Sequence, residues 1–245
     1  MSLRFCRGKG ISRPFEIGLA LAGLVVLAPV LYVAAVLVKL TSVGPILFRQ
    51  ERVGREGKPF TLYKFRSMVA NNGGPQVTAK GDPRVTGVGR LLRKTKLDEL
   101  PELWNVVRGD LSLVGARPEV VRYVELENPL WREVLEARPG ITDPVTLRLR
   151  NEEELLQGCG GDAETFYRET LQTYKLLGYR EYLRERTWWS DVQVLVQSVL
   201  AVVFPAKAPP PGLDEIERVV ALWRKGEWDA DPGLEPAGTC FRDAR

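Results

Sequence analysis

From Ile17 to Val38 the chain runs 22 residues without a charged side chain. A helix over that stretch is about 33 Å long, close to the thickness of a bilayer's hydrocarbon core. Surface helices of soluble domains carry a polar face, which this run lacks. A cleaved leader fits poorly, because the run is long and no small-x-small site follows it before Lys39. Pro29 stands near its middle, without an N–H and with its ring set against the carbonyl of Val25, so a kink is expected. Arg4, Arg7, Lys9 and Arg13 precede the run, and Lys39, Arg49, Arg52 and Arg55 follow it. Cations at both ends favour the cytoplasmic side for both, which one straight span cannot satisfy and a bent re-entrant helix can. A kinked ordinary span and a buried soluble helix are the alternatives. Trp188-Trp189 begins a second apolar stretch, readable as a helix lying at the headgroup level or as a core helix.

Composition narrows the chemistry. The 245 residues contain no histidine, which removes Ser-His-Asp and Cys-His hydrolases, His-Glu-x-x-His zinc proteases and any histidine general base. The length suffices for one substantial core. Cys6, Cys159 and Cys240 form no Cys-x-x-Cys pair. A net charge of +4 is too small to indicate nucleic acid, so none is expected as a partner.

After Lys39 the pattern changes. Residues 45–50 and 60–65 read as strands joined by the turn residues 54–58, a β-hairpin. Residues 70–83 read as a polar loop, Gly87–Lys94 as a short helix, and Asp98–Arg108 as another that stops at Gly109. Residues 117–138 look helical with a break at Asn128-Pro129, and Arg138–Pro144 reads as a loop. Residues 151–186 read as solvated helices. Residues 205–212 form a Pro-rich linker, and Leu213, Ile216, Val220 and Trp223 recur as the face of a small docking helix before a loose tail. The expected domains are 1–40 (basic start and membrane helix), 41–204 (catalytic) and 205–245 (linker, helix, tail).

Asp98 and Glu99 sit side by side among Arg84, Arg90, Arg93, Lys94, Lys96, Arg108 and Arg117. Such a pairing suits a phosphorylated substrate: cations hold phosphates while a carboxylate binds metal or attacks phosphorus. Asp98 also suits a helix N-cap, and Glu99 a first-turn glutamate favoured by the helix dipole. Neighbours on a helix point about 100° apart, so the two acids have separate tasks. Gly115-Ala116-Arg117-Pro118 offers a close backbone approach and a forked cation.

These segments, in order, resemble the monotopic phosphoglycosyl transferases, bacterial sugar transferases that begin glycoconjugate and exopolysaccharide assembly on a polyprenyl phosphate. The resemblance is carried by Gly44–Gly54, Tyr63–Met68, Asp82–Thr86 with Gly89-Arg90, Leu97–Pro101 with Leu103–Val106, Gly109–Gly115 and Arg138–Thr142, and covers roughly residues 10–204. It implies an α+β, mostly helical fold: a Pro29-kinked re-entrant helix, a hairpin, and a compact cytoplasmic catalytic domain with amphipathic interfacial helices. It implies a protein on the cytoplasmic face of the bacterial inner membrane. UDP-sugar, polyprenyl phosphate and membrane lipid are its implied partners, with room for a homo-oligomer, and Mg²⁺ its cofactor. The acid dyad falls on Asp98 and Glu99, which serve catalysis and the metal, with Asp98 as the nucleophile. Lys64, Arg93, Arg117, Pro118 and Arg138 bind substrate. The chain is similar to the family's small form. It departs from the family's pattern at Ala116 and Ala28, where proline and serine are usual, and at Asp143–Arg148, a stretch that bears on the sugar. A non-catalytic, membrane-anchored binder of anionic lipid or nucleotide is the competing reading.

Overall fold

The structure is a computed structural model in which residues 8–69, 81–203 and 210–227 are described. Helices α1 (Arg13–Val26) and α2 (Ala28–Thr41) meet at Leu27 with a bend of 62°. Pro29 sits in the first turn of α2, where its missing N–H leaves no donor unpaired. No single helix among the described residues is long and apolar enough to cross a membrane, but the bent pair together is. Both ends of the pair are tied to one body. Gly8 N donates to Leu183 O (3.1 Å) and Ile11 N to Asp191 Oδ2 (2.8 Å). Arg13 donates to Leu111 O (2.9 Å), while Glu16, buried in α1, accepts from Leu113 N (3.1 Å). At the other end Ser42 O accepts from Arg66 (2.8 Å).

Strands β1 (Leu47–Val53) and β2 (Pro59–Phe65) form the expected antiparallel hairpin, in register from Leu47↔Phe65 to Val53↔Pro59. Its turn places Glu56 and Gly57 at φ 59° and 75°. Helix α3 (Gly87–Lys94) matches the sequence reading and is capped by Thr86, whose hydroxyl accepts from Gly89 N (2.9 Å). A Cβ at Gly89 would lie 1.9 Å from the Ser67 carbonyl oxygen, so only glycine lets α3 pack here.

The helix expected over Asp98–Arg108 is divided. Lys96 adopts a left-handed φ of 57° and starts a 3-10 turn, Leu97–Glu99; α4 (Glu102–Arg108) begins after Pro101. Asp98 therefore lies inside the turn, makes no cap hydrogen bond, and is not an N-cap. Gly109, at φ 96°, ends α4 as expected.

Strand β3 (Ser112–Val114) precedes a 3-10 turn at Val121–Tyr123 and α5 (Pro129–Leu135), capped by Asn128 at the anticipated break. Most of residues 117–128 are thus not α-helical. Strand β4 (Gly140–Thr142) lies within the expected loop and pairs with β3 in parallel. Then follow α6 (Pro144–Arg148), α7 (Glu152–Gly158) and α8 (Ala163–Phe166). A π-helical turn, Tyr167–Leu171, leads into α9 (Gln172–Glu185).

Within residues 151–186, α7 and α8 keep exposed faces, but α9 is not solvated: it is a central core helix. Tyr174, Leu176, Leu177, Tyr179 and Leu183 are buried in the largest apolar cluster. Lys175 and Arg180 are buried as well, Lys175 paired with Glu152 and Arg180 over the Trp223 ring at 4.7 Å. Helix α10 (Trp188–Val203) has a side packed into the core, as one reading expected, and an exposed apolar side. Asp191 and Val194 are fully buried, while Trp188, Trp189 and Val199 are exposed. Helix α11 (Leu213–Lys225) docks through Ile216, Val219 and Val220. Most of the Pro-rich linker and of the tail lies outside the described residues. Phe15 of α1 meets Trp188 edge-on at 6.0 Å. That contact brings together α1 and α10, both of which carry exposed apolar residues, Leu19, Val25 and Val26 on α1 and Trp189 and Val199 on α10.

Candidate active site

Three local features converge on one cleft of about 2400 Å³. The outgoing hairpin strand carries Lys64, the 3-10 turn carries Asp98 and Glu99, and the segment after β3 carries Arg117 and Pro118. Lys64 Nζ lies 3.0 Å from Glu99 Oε1 and 3.1 Å from Glu102 Oε1. Arg117 donates to both Glu99 oxygens, with Nη1 at 3.4 Å from Oε2 and Nη2 against Oε1. Burial works against the Glu99 charge, but Arg117, then Lys64 and Lys96, hold its carboxyl well below the usual range. Glu99 in turn raises the Arg117 guanidinium well above its usual value.

Asp98 is in the opposite state. It is 7 % exposed, and its Oδ1 is buried without a hydrogen-bond partner among the described residues. Burial first, and the Glu99 charge second, push its pKa up; Lys64, Lys96 and Arg93 pull it part of the way back. A buried carboxylate oxygen with no partner costs about 1–3 kcal/mol or more, a cost that a bound electrophile or cation relieves. The two acids thus differ as their spacing suggested. Glu99 is neutralised by two fixed cations, and Asp98 is held in reserve.

Pro118 lines the cleft, and its carbonyl accepts from Arg52 (3.1 Å). Ala116, which replaces the usual proline, has its carbonyl bound by Gly140 N (2.9 Å). The loop at Arg117 is therefore fixed on both sides, by a backbone bond at Ala116 and by the Arg52 side chain at Pro118. Arg93 also lines the cleft, 3.6 Å from Glu153. Arg138 is not brought to this cleft. Burial and then Arg13 lower its pKa, and its other charged neighbours are Glu16, Arg55 and Asp110. Pro29 stands at the α1–α2 bend.

Two residues of the site escaped the sequence reading. Glu102 is almost fully buried, and burial raises its pKa against the pull of Lys64. Its signal was spacing: three residues after Glu99, it faces the same cation. Asn105, one turn further, is fully buried and clamps the open edge of β2. Its Oδ1 accepts from Tyr63 N (3.1 Å) and its Nδ2 donates to Thr61 O (2.7 Å) and Asp110 (3.0 Å). This staple sets Lys64 opposite the acids.

Among the described residues no three His, Cys, Asp or Glu side chains converge as a metal cage. Mg²⁺ needs no such cage: one or two carboxylates with substrate phosphates and water suffice. The unpartnered Asp98 Oδ1, beside Glu99, fits that donor set.

A model of the bacterial sugar transferases matches residues 8–205. The UDP-glucose:undecaprenyl-phosphate glucose-1-phosphate transferase of Caulobacter vibrioides is 38% identical over 177 residues, 70% of this chain and 62% of the relative. The enzyme of the same name from Escherichia coli (strain K12) is 37% identical over 199 residues, 77% of this chain and 39% of its own. A UDP-N-acetylgalactosamine-undecaprenyl-phosphate N-acetylgalactosaminephosphotransferase of Aeromonas hydrophila is 33% identical over 200 residues, 79% of this chain and 44% of its own. The chain thus spans less than two thirds of each of these relatives.

Proposed function

The chain belongs to the bacterial sugar transferase family, and from that premise we propose that it moves a sugar 1-phosphate from a UDP-sugar to polyprenyl phosphate and releases UMP. Ionised Asp98 attacks the phosphorus that bears the sugar. The bond from that phosphorus to the bridging oxygen breaks, and the electron pair leaves with UMP. A sugar-phosphoryl ester of Asp98 remains. A phosphate oxygen of the polyprenyl acceptor then attacks the same phosphorus, the Asp98 carboxylate departs, and the polyprenyl-diphosphate sugar is formed.

Lys64 and Arg117 face the charge that grows on the phosphoryl oxygens, and Glu99 holds both in place. Glu102 anchors Lys64 from below. Asp98 and Glu99 would hold Mg²⁺, which supplies charge neutralisation at the diphosphate when bound. The observation that carries the reading is Asp98 itself, buried, unpartnered and bordered by a locked cation–carboxylate cluster.

The setting of the site is part of the proposal. The bent α1–α2 pair enters and leaves the cytoplasmic leaflet of the bacterial inner membrane, and α10 rests on it. The 62° bend, the attachment of both ends to one body, and the exposed apolar residues shared with α10 support this. The cleft then opens beside lipid headgroups, and proximity replaces a search through water.

The test uses the full chain in detergent or nanodiscs with UDP-sugar, Mg²⁺ and polyprenyl phosphate. Wild type is expected to release UMP and, with acceptor withheld, to gain the mass of one sugar phosphate on the peptide containing Asp98. Asp98→Asn is expected to lose both. UMP release by that variant at the wild-type rate refutes the nucleophile. Binding of nucleotide by wild type without release favours the non-catalytic reading.

A further inference from the structure

Besides the Asp98 group, the cleft is lined by a second polar cluster, a chamber wall that the phosphoryl chemistry leaves unused. Glu119 lies 3.4 Å from Arg52 Nη1 and accepts the Tyr167 hydroxyl. Lys175 Nζ is 3.3 Å from Tyr167 Oη and 3.3 Å from both Glu152 oxygens. All five of these side chains line the cleft that holds Asp98. Behind this group, one turn after Lys175 in α9, the Tyr179 hydroxyl is buried without a hydrogen-bond partner among the described residues and feels the charges of Asp143, Glu152 and Glu119. The helix carrying these residues is also irregular, with its π-turn starting at Tyr167. Such turns are rare and concentrate at functional sites.

The chamber's chemistry differs from that of the phosphate end. Arg52 and Lys175 balance Glu119 and Glu152, so no net positive charge remains for a phosphate. What remains is a dense set of donors and acceptors: two phenols, two carboxylates and an ammonium. That set suits neutral hydroxyl groups, which donate and accept at once. The unpartnered Tyr179 hydroxyl marks one bond still to be made. Arg117 links the two clusters: it grips Glu99 and is also electrostatically coupled to Tyr179. In a UDP-sugar the anomeric oxygen is bonded to the phosphorus under attack, while the nucleoside lies one phosphate further away. The chamber adjoining Arg117 therefore receives the sugar.

We propose that Glu119, Glu152, Tyr167, Lys175 and Tyr179 form the subsite that reads the hydroxyl groups of the donor's sugar ring and selects which sugar is transferred. The inference rests on the donor chemistry proposed above. Its test compares kcat/KM for UMP release from UDP-glucose and UDP-N-acetylgalactosamine, which differ at C2 and C4, in wild type, Tyr179→Phe, Tyr167→Phe and Lys175→Gln. UDP, which lacks the sugar, serves as a competing inhibitor. The variants are expected to change the ratio of the two donors by about tenfold or more, the scale on which hydroxyl-reading sites discriminate, with UDP inhibition unchanged. Parallel loss of UDP inhibition would make the chamber a nucleoside pocket and overturn the proposal. An unchanged donor ratio in all three variants overturns it too. If Lys175→Gln fails to fold, Tyr179→Phe decides alone, since it removes only an oxygen with no hydrogen-bond partner among the described residues. Wild type that releases no UMP from either donor overturns the transferase reading first, and the subsite with it.

Discussion

In the proposed reaction Asp98 must lose its proton before it attacks, and its surroundings make that harder than for an ordinary aspartate. Burial and the adjacent Glu99 charge raise its pKa, while Lys64, Lys96 and Arg93 restrain the rise. Activity is therefore expected to climb with pH along a limb centred above that of an ordinary aspartate. The sign of each neighbour's effect follows. Lys64→Gln removes a cation that favours the charged form, so the limb should move to higher pH. Glu99→Gln removes a repelling anion, so the limb should move to lower pH even as the maximal rate falls. Initial rates of UMP release from pH 4 to 9 check both, and a limb that stays fixed or moves the other way in Lys64→Gln contradicts the assigned electrostatics. At this scale the sequence was informative where residue type alone carries the chemistry. Asp98-Glu99, Lys64 and Arg117 stood out as acids and cations in a recognisable order, and they do meet. The role of Asp98 as an N-cap did not survive, because the left-handed turn at Lys96 follows no local rule for lysine. Arg138, read with the same motif series, faces elsewhere, since strand pairing at Gly140 fixes where its side chain goes.

The elements that position these residues depend on one side chain more than on any strand. Asn105 satisfies the outer edge of β2 by bonding Tyr63 N and Thr61 O, as a further strand would. Replacing it with alanine orphans Tyr63 N and Thr61 O, both in part-buried bonds, a cost of about 1–3 kcal/mol. Asn105→Ala should show that loss in denaturant unfolding and should lower UMP release through a displaced Lys64. A change below about 0.5 kcal/mol, the range of ordinary surface substitutions, would mean that the edge is satisfied in another way. The hairpin, α3 and the stop at Gly109 were legible because turn and cap chemistry is local. The β3–β4 pair was not, because its partners are distant in sequence and each strand is only three residues long. Helix α9 was misread for a different reason. Its charged residues imitate a solvated face, yet Lys175 and Arg180 are buried by pairing with Glu152 and Trp223.

Across the whole molecule, the apolar helices form one surface because a buried carboxylate ties them together. Asp191, fully buried at the start of α10, accepts from Ile11 N (2.8 Å), from the Tyr182 hydroxyl (2.5 Å) and from Arg186 (2.5 Å). Ile11 leads directly into α1, so the approach to the bent pair is clamped to the helix that carries Trp188 and Trp189. The far end of α2 is clamped as well, by Arg66 on Ser42. A spanning arrangement would have to part these two ends by a hydrocarbon core of about 30 Å. It would break the bonds at Gly8, Ile11 and Arg13 and leave the buried Asp191 and Glu16 carboxylates short of partners, at a cost of several kcal/mol. The re-entrant arrangement keeps every one of these bonds. The consequence is topological. With Cys6, Cys159 and Cys240 changed to serine, single cysteines introduced at the exposed positions Lys9 and Thr41 should both resist a membrane-impermeant maleimide in intact cells. Both should react once the inner membrane is opened. Labelling of either position in intact cells would place a bilayer between the two clamps and refute the re-entrant reading, whereas shared protection would leave the catalytic cleft and both anchors on one side of the membrane.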